Sequence, residues 1–213
     1  MKTPTTMLSL LLLLFLGTSS VYAQNNAAFS WGRNVFGQLG DGTLTDRDSP
    51  VQIGTEATWA SIYGGGRHSL AIKYDGSLWA WGYNLQGQLG DGTNQRRTSP
   101  VQIGMETNWA TVSCGYNYTI AVKSNGTLWA WGYNYYGQLG DGTTSSKSSP
   151  VQIGTATDWA FVSCGVGYTV AMKSNGTLWA WGRNDVGQLG LGDTTDRHSP
   201  VQIGTAADWV CVE

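Results

Sequence analysis

Trp81-Gly82-Tyr83-Asn84-Leu85-Gln86-Gly87-Gln88-Leu89-Gly90-Asp91-Gly92-Thr93 returns fifty residues later as Trp131-Gly132-Tyr133-Asn134-Tyr135-Tyr136-Gly137-Gln138-Leu139-Gly140-Asp141-Gly142-Thr143. Further copies begin at Trp31 and Trp181, with no insertion or deletion. Residues 81–130 and 131–180 are identical at 35 of 50 positions. Ser49-Pro50-Val51-Gln52-Ile53-Gly54 recurs at 99, 149 and 199 in the same register. A fixed period of this length marks a repeat architecture.

Each period carries four short runs rich in β-branched and aromatic residues: Val101–Ile103, Trp109–Cys114, Tyr118–Lys123 and Thr127–Trp131. Such runs read as strands. Asn125-Gly126, Asn175-Gly176 and Asp75-Gly76 separate the third run from the fourth. They predict two-residue hairpin turns of type I′, in which both residues have φ > 0. The proline opens its strand, and Asp91–Ser99 is a long polar crossover loop. Four strands in about 50 residues fit a β-propeller blade; a solenoid of four-stranded units is the alternative.

Composition agrees. Gly is 30 of 213 residues, which suits many turns and opposes long helices. Eleven Trp and ten Tyr supply ample apolar area for a core. Charged residues are 12% and the net charge is −2, so the sequence predicts no nucleic-acid partner. Residues 1–23 read as a secretory signal: Lys2, then an apolar run from Met7 to Leu16 interrupted by Ser9, then Val21-Tyr22-Ala23 before Gln24. Cleavage after Ala23 is expected, which places the protein outside the cell or at its surface. The run is too short to span a bilayer, and no membrane span is expected once the signal is removed.

Trp-Gly-x-Asn-x-x-Gly-Gln-Leu-Gly-Asp-Gly-Thr, then Ser-Pro-Val, then Val-Ser-Cys-Gly-x-x-Tyr-Thr-x-Ala-x-Lys-Ser-Asn-Gly-Thr-Leu-Trp, resembles the RCC1 (regulator of chromosome condensation) repeat, in a secreted bacterial-type form. The resemblance covers residues 27–213 and implies an all-β, seven-bladed propeller. Members include an exchange factor for a nuclear GTPase and secreted bacterial proteins, one of which inhibits β-lactamases. The repeats number about 3.7: units 31–80, 81–130 and 131–180, and a partial unit 181–213. The chain is therefore expected to supply part of a ring rather than a native four-blade one. Ala27–Trp31 is expected to be the sole strand contributed ahead of the first full unit.

The recurring Trp, Gly and Asn read as structural, since a group needed once for chemistry has no reason to recur at one phase. Asp41, Asp91 and Asp141 lack calcium-loop spacing and are expected to cap their own turns. Asn117-Tyr118-Thr119, Asn125-Gly126-Thr127 and Asn175-Gly176-Thr177 match the glycosylation pattern, but the last two occupy hairpin positions and all read as turns. Cys114 and Cys164 share a phase. They are expected to be buried free thiols, the alternative being a bridge between neighbouring blades. Cys211 makes the count odd. No metal site, cofactor or catalytic constellation is expected: His68 and His198 have no recognisable Ser or Cys partner.

Specificity is sought where the repeats differ. Arg33, Tyr83, Tyr133 and Arg183 share one phase; Val35-Phe36, Leu85-Gln86, Tyr135-Tyr136 and Asp185-Val186 share the next variable pair. Arg33, Phe36, Tyr83, Leu85, Tyr133, Tyr135, Tyr136, Arg183 and Asp185 form the candidate partner-binding set, in residue types enriched at interface hot spots. Plain variation on solvated loops is the alternative. A second variable set is Arg67-His68, Asn117-Tyr118 and Gly167-Tyr168; a third lies in the polar loop at Arg96-Arg97, read as solvated surface. The sequence thus predicts a secreted, non-enzymatic scaffold for a protein or glycan partner. The alternatives are a polysaccharide-active enzyme and, against the signal peptide, a GTPase exchange factor.

Overall fold

The computed structural model describes residues 20–24, 27–55 and 58–210. The apolar run Met7–Leu16 and Cys211 lie outside them. The described residues build four antiparallel sheets. The first holds β1 (Ser20–Gln24), β2 (Ala27–Gly32) and β3 (Arg47–Gln52). The second runs β4 (Trp59–Gly64), β5 (His68–Lys73), β6 (Leu78–Gly82), β7 (Arg97–Gln102). The third is β8 (Trp109–Cys114), β9 (Tyr118–Lys123), β10 (Leu128–Gly132) and β11 (Lys147–Gln152). The fourth is β12 (Trp159–Cys164), β13 (Tyr168–Lys173), β14 (Leu178–Gly182) and β15 (Arg197–Gln202). β8 packs on β4 and β5, and β12 packs on β8 and β9. Successive sheets therefore meet along their Trp-led strands, as propeller blades do around an axis.

Three local expectations change. The outer strand begins at Arg97 rather than Val101, so Pro100 lies inside it. β7 is an edge strand, where a missing N–H does little harm. The hairpin loop has three residues, not two: Gly126 N donates to Lys123 O at 2.8 Å and Lys123 N to Thr127 O at 3.0 Å, with Gly126 at φ 76°. A turn followed by a left-handed glycine is the next most common hairpin solution. It frees the Asn125 carboxamide oxygen to accept from Thr127 Oγ1 at 2.7 Å. Any Cβ on Gly126 would also lie 2.1 Å from Thr157 O, so backbone contact with the next blade demands glycine there. Finally, Ala27–Trp31 is not alone ahead of the first full unit. β1 pairs with β2 from Ser20↔Trp31 to Gln24↔Ala27 and satisfies the edge that β2 would otherwise leave open. Cleavage after Ala23 would leave only Gln24 of this strand.

The core lies between blades. Leu70, Ile72, Leu78 and Leu89 pack with Trp109, Val112, Ala121 and Trp131 of the following blade. Each inter-blade joint is closed by one carbonyl. Gln88 O accepts from Trp131 Nε1 and from Thr119 Oγ1, both at 2.9 Å. Gln38 O and Gln138 O receive Trp81 and Trp181 in the same way. Trp131 is wholly buried, so its N–H would otherwise be stranded.

Candidate partner-binding face

The variable pairs ride on a loop held by buried polar groups. Asn134 Nδ2 donates to Asp141 Oδ1 at 3.1 Å and to Thr143 O at 3.0 Å, and its Oδ1 accepts from Leu139 N at 2.9 Å. Gln138 Oε1 accepts from Tyr136 N at 3.0 Å. Asp141 also accepts from Thr143 N and Oγ1, and Lys147 approaches at 3.2 Å. Burial alone would raise the Asp141 carboxyl, but Thr143 and Lys147 hold it below the usual range. Asp41 and Asp91 are bonded in the same way to Thr43 and Thr93, with Arg47 and Arg97 as their cations. In the fourth copy Asp193, two residues later in phase, accepts from Asn184 Nδ2 and Thr195 N. These carboxylates are turn caps, as their spacing implied. Arg97 is accordingly fixed to Asp91 at 2.7 Å rather than freely solvated, and Arg96 donates to Val35 O at 3.3 Å across a blade joint.

The candidate residues fall into two clusters. In the first, the Arg67 guanidinium lies 4.9 Å from the Phe36 ring, 5.1 Å from Tyr116 and 5.6 Å from Tyr83. Phe36 and Tyr83 meet edge-to-face at 5.2 Å, and Arg33 reaches Phe36 at 5.9 Å. In the second, Tyr133 and Tyr135 are parallel within 9° at 6.4 Å, and Tyr136 meets Tyr135 edge-on at 5.1 Å. Arg183 lies 5.2 Å from the Tyr136 ring and pairs with Asp185 at 2.5 Å. Burial, then the neighbouring Tyr136 and Tyr135 phenols, push the Tyr133 hydroxyl above its ordinary pKa, so it stays neutral. Leu85, on the same loop as Tyr83, is 59% exposed.

Sequence reasoning kept Arg67 in a separate set and passed over Tyr116. The signal for Tyr116 was its phase, occupied by Gly66, Tyr116 and Val166. Only the blade joint shows that Arg67 and Tyr116 share a cluster with Phe36.

The other reactive groups are structural. Cys114 and Cys164 are free, so the bridged alternative is set aside. Cys114 Sγ points to Tyr63 O at 3.8 Å and Cys164 Sγ to Ser113 O at 3.4 Å, each in the preceding blade. Burial pushes Cys164 up to about 11 and Cys114 upward likewise, which makes both poor nucleophiles. His68, on β5, is buried and held down to about 3 by desolvation. Thr119 Oγ1 donates to Gln88 O, so it accepts from His68 Nε2 at 3.1 Å and fixes the tautomer. His198 is exposed on β15, on a different blade.

The pattern of the family described as RCC1-like domain matches residues 17–213. No curated protein matches the sequence. Among solved structures, human WBSCR16 is similar at TM-score 0.78 and 23% identity, over 88% of this chain and 51% of that one. Yeast RCC1 (Prp20) bound to Kap60 is similar at 0.75 and 22%, over 85% and 45%. Prp20p from Saccharomyces cerevisiae, described with its binding to Gsp1p and histones, is similar at 0.74 and 23%, over 85% and 47%. The chain spans about half the length of these structures. With the family pattern running across its repeats and the same blades in these neighbours, the chain belongs to the RCC1-like domain family.

Proposed function

We propose that the protein is a secreted, non-enzymatic scaffold that binds a protein partner through the loops carrying the two aromatic clusters. The observation that carries this reading is the exposure of Leu85 and Tyr135 on loops whose backbones are fixed by buried Asn and Gln side chains. Rigid aromatic side chains lose little entropy on binding and are common hot spots. The Prp20 structures, named with Kap60, Gsp1p and histones, give the fold a precedent for protein partners.

A protein is favoured over a glycan by the state of the tryptophans. Clefts of about 370 and 420 Å³ adjoin Trp109–Trp129 and Trp159–Trp179. The Lys123 ammonium covers the Trp129 ring at 3.6 Å and Lys173 stands 4.9 Å from Trp179. These indole faces are already occupied by the chain's own cations, so a sugar ring would have to displace them.

Two measurements test the reading. The immobilised full chain, exposed to the extracellular fraction of its source, should retain a protein whose affinity falls ~30-fold or more when Leu85, Tyr135 and Tyr136 are changed to Ala. Equal retention by both forms overturns the assigned face. Turnover of a polysaccharide by the wild type overturns the non-enzymatic assignment. Export rests on Lys2 and the apolar run Met7–Leu16. N-terminal sequencing of the exported protein should begin at Gln24; an intact Met1 overturns it.

A further inference from the structure

The first aromatic cluster is filled and the second is not. Phe36, Tyr83 and Tyr116 come from the loops of three successive blades, and Arg67 places its guanidinium among all three rings. Fifty residues on, the phase of Arg67 is Asn117, and a hundred residues on it is Gly167. Tyr133 occupies the phase of Tyr83, but its joint has no arginine at the phase of Arg67. Arg183 reaches only Tyr136, and its charge is neutralised by Asp185, whose second oxygen accepts from Gln188 Nε2 at 3.2 Å. Among the described residues no cation of the chain stands over Tyr133 or Tyr135. Tyr135 is 66% exposed and Val166 63%.

We propose that the Tyr133–Tyr135–Tyr136 cluster receives a cationic side chain, an arginine or lysine, from the partner protein, in the way that the Phe36–Tyr83–Tyr116 cluster receives Arg67. The proposal rests on the loop-face reading above and specifies its chemistry. Aromatic faces are electron-rich and attract a guanidinium or ammonium within about 6 Å. Arg67 shows that this scaffold holds a guanidinium among loop aromatics at 4.9–5.6 Å. The overall charge of −2 does not oppose an approaching cation, and the Arg183–Asp185 pair leaves the corner locally neutral. Val166, next to Gly167 beside the Tyr136 ring, provides exposed apolar surface for residues flanking the cation.

The test uses the full chain with ¹³C-labelled tyrosine rings, titrated with the peptide acetyl-Gly-Arg-Gly-Arg-Gly-amide and with the same peptide carrying citrulline. Citrulline keeps the shape and loses the charge. Each exposed ring contributes about 0.5–1 kcal/mol to a cation contact, so two rings predict roughly fivefold weaker binding for citrulline. The shifts should map to Tyr133, Tyr135 and Tyr136, persist in Tyr135→Phe and vanish in Tyr135→Leu. Asn117→Arg supplies the missing internal cation beside Tyr133 without touching any tyrosine, and should weaken the arginine peptide. Equal affinity for both peptides, no tyrosine shifts with either, or larger shifts with a neutral trisaccharide overturns the proposal. If partner retention still depends on Tyr135 and Tyr136 in that case, the loop-face function stands and the cation assignment alone falls.

Discussion

The joint around Arg67 and the joint around Tyr135 use the same repeat positions to opposite ends. In the first, Arg67 and His68 project from the start of β5, and the guanidinium ties three rings together. In the later joints the corresponding pairs are Asn117-Tyr118 and Gly167-Tyr168. At the first of these a phenol hydroxyl takes the place of the imidazole and crosses to the next blade: Tyr118 Oη donates to Tyr168 O, with Gly165 O 3.3 Å away. The first joint therefore closes its outer aromatic cluster with a cation and leaves His68 Nδ1 buried without a partner. The later joint reverses this: its buried position is well bonded and its outer aromatics stay open. One scaffold thus carries a sealed corner and an open one, and the substitutions that distinguish them are few.

The comparison is broken most severely by removing what both corners stand on. Trp131→Ala deletes a fully buried indole and one of the two hydrogen bonds to Gln88 O, and should cost about 3–5 kcal/mol. Calorimetry should show a large fall in melting temperature; a fall as small as that of a loop variant would mean that the joints do not hold the blades together.

His68 sharpens the buried half of the comparison. Its native pKa, about 3, lies below its ordinary 6.5, so an unfolded chain takes up a proton that the native chain refuses. Stability should fall as pH drops from about 6.5 toward 3. His68→Tyr, the residue that the later repeats carry, should remove this loss. Urea unfolding of both proteins at pH 7 and 4.5 isolates the effect, because the lowered carboxylates such as Asp141 titrate mainly below that window. Identical acid sensitivity in the two proteins would refute it.

Smaller effects separate the outer clusters. Arg67→Ala should cost about 1 kcal/mol, or about 2–4 °C in melting temperature, by releasing three ring contacts. Tyr135→Ala should change stability by less than about 0.5 kcal/mol, since the ring is mostly exposed. If the two variants melt alike, the distinction between sealed and open corners is lost.

Much of this architecture is legible along the chain. The period, the four strands per unit and the hairpin glycines follow from residues whose preferences act within a few positions. So does the role of Asp41, Asp91 and Asp141, because each caps a threonine two residues on. The displacement of that role to Asp193 is visible in the sequence too, once the cap is understood. What escaped was anything crossing a joint. Arg67 and Tyr116 belong to different repeats, and their phases differ from that of Phe36. Nothing in the spacing says that the three side chains converge.

By itself, then, the sequence determined the repeat, the strand inventory and the turn chemistry, because φ preferences and alternation are local. Tertiary packing decided the rest. Tyr118–Lys123 and Tyr168–Lys173 differ at only two of six positions, yet β9 is buried throughout and β13 only at alternate residues. β9 has blades on both faces among the described residues, whereas β13 has one. The same dependence on the joint acts on the aromatics: Arg67 reaches the Phe36 ring across a blade joint, whereas Gly167, at the same phase, faces Tyr136 and brings no cation. Burial and charge at these sites are properties of two blades in contact, and they exist only once the angle between the blades is set.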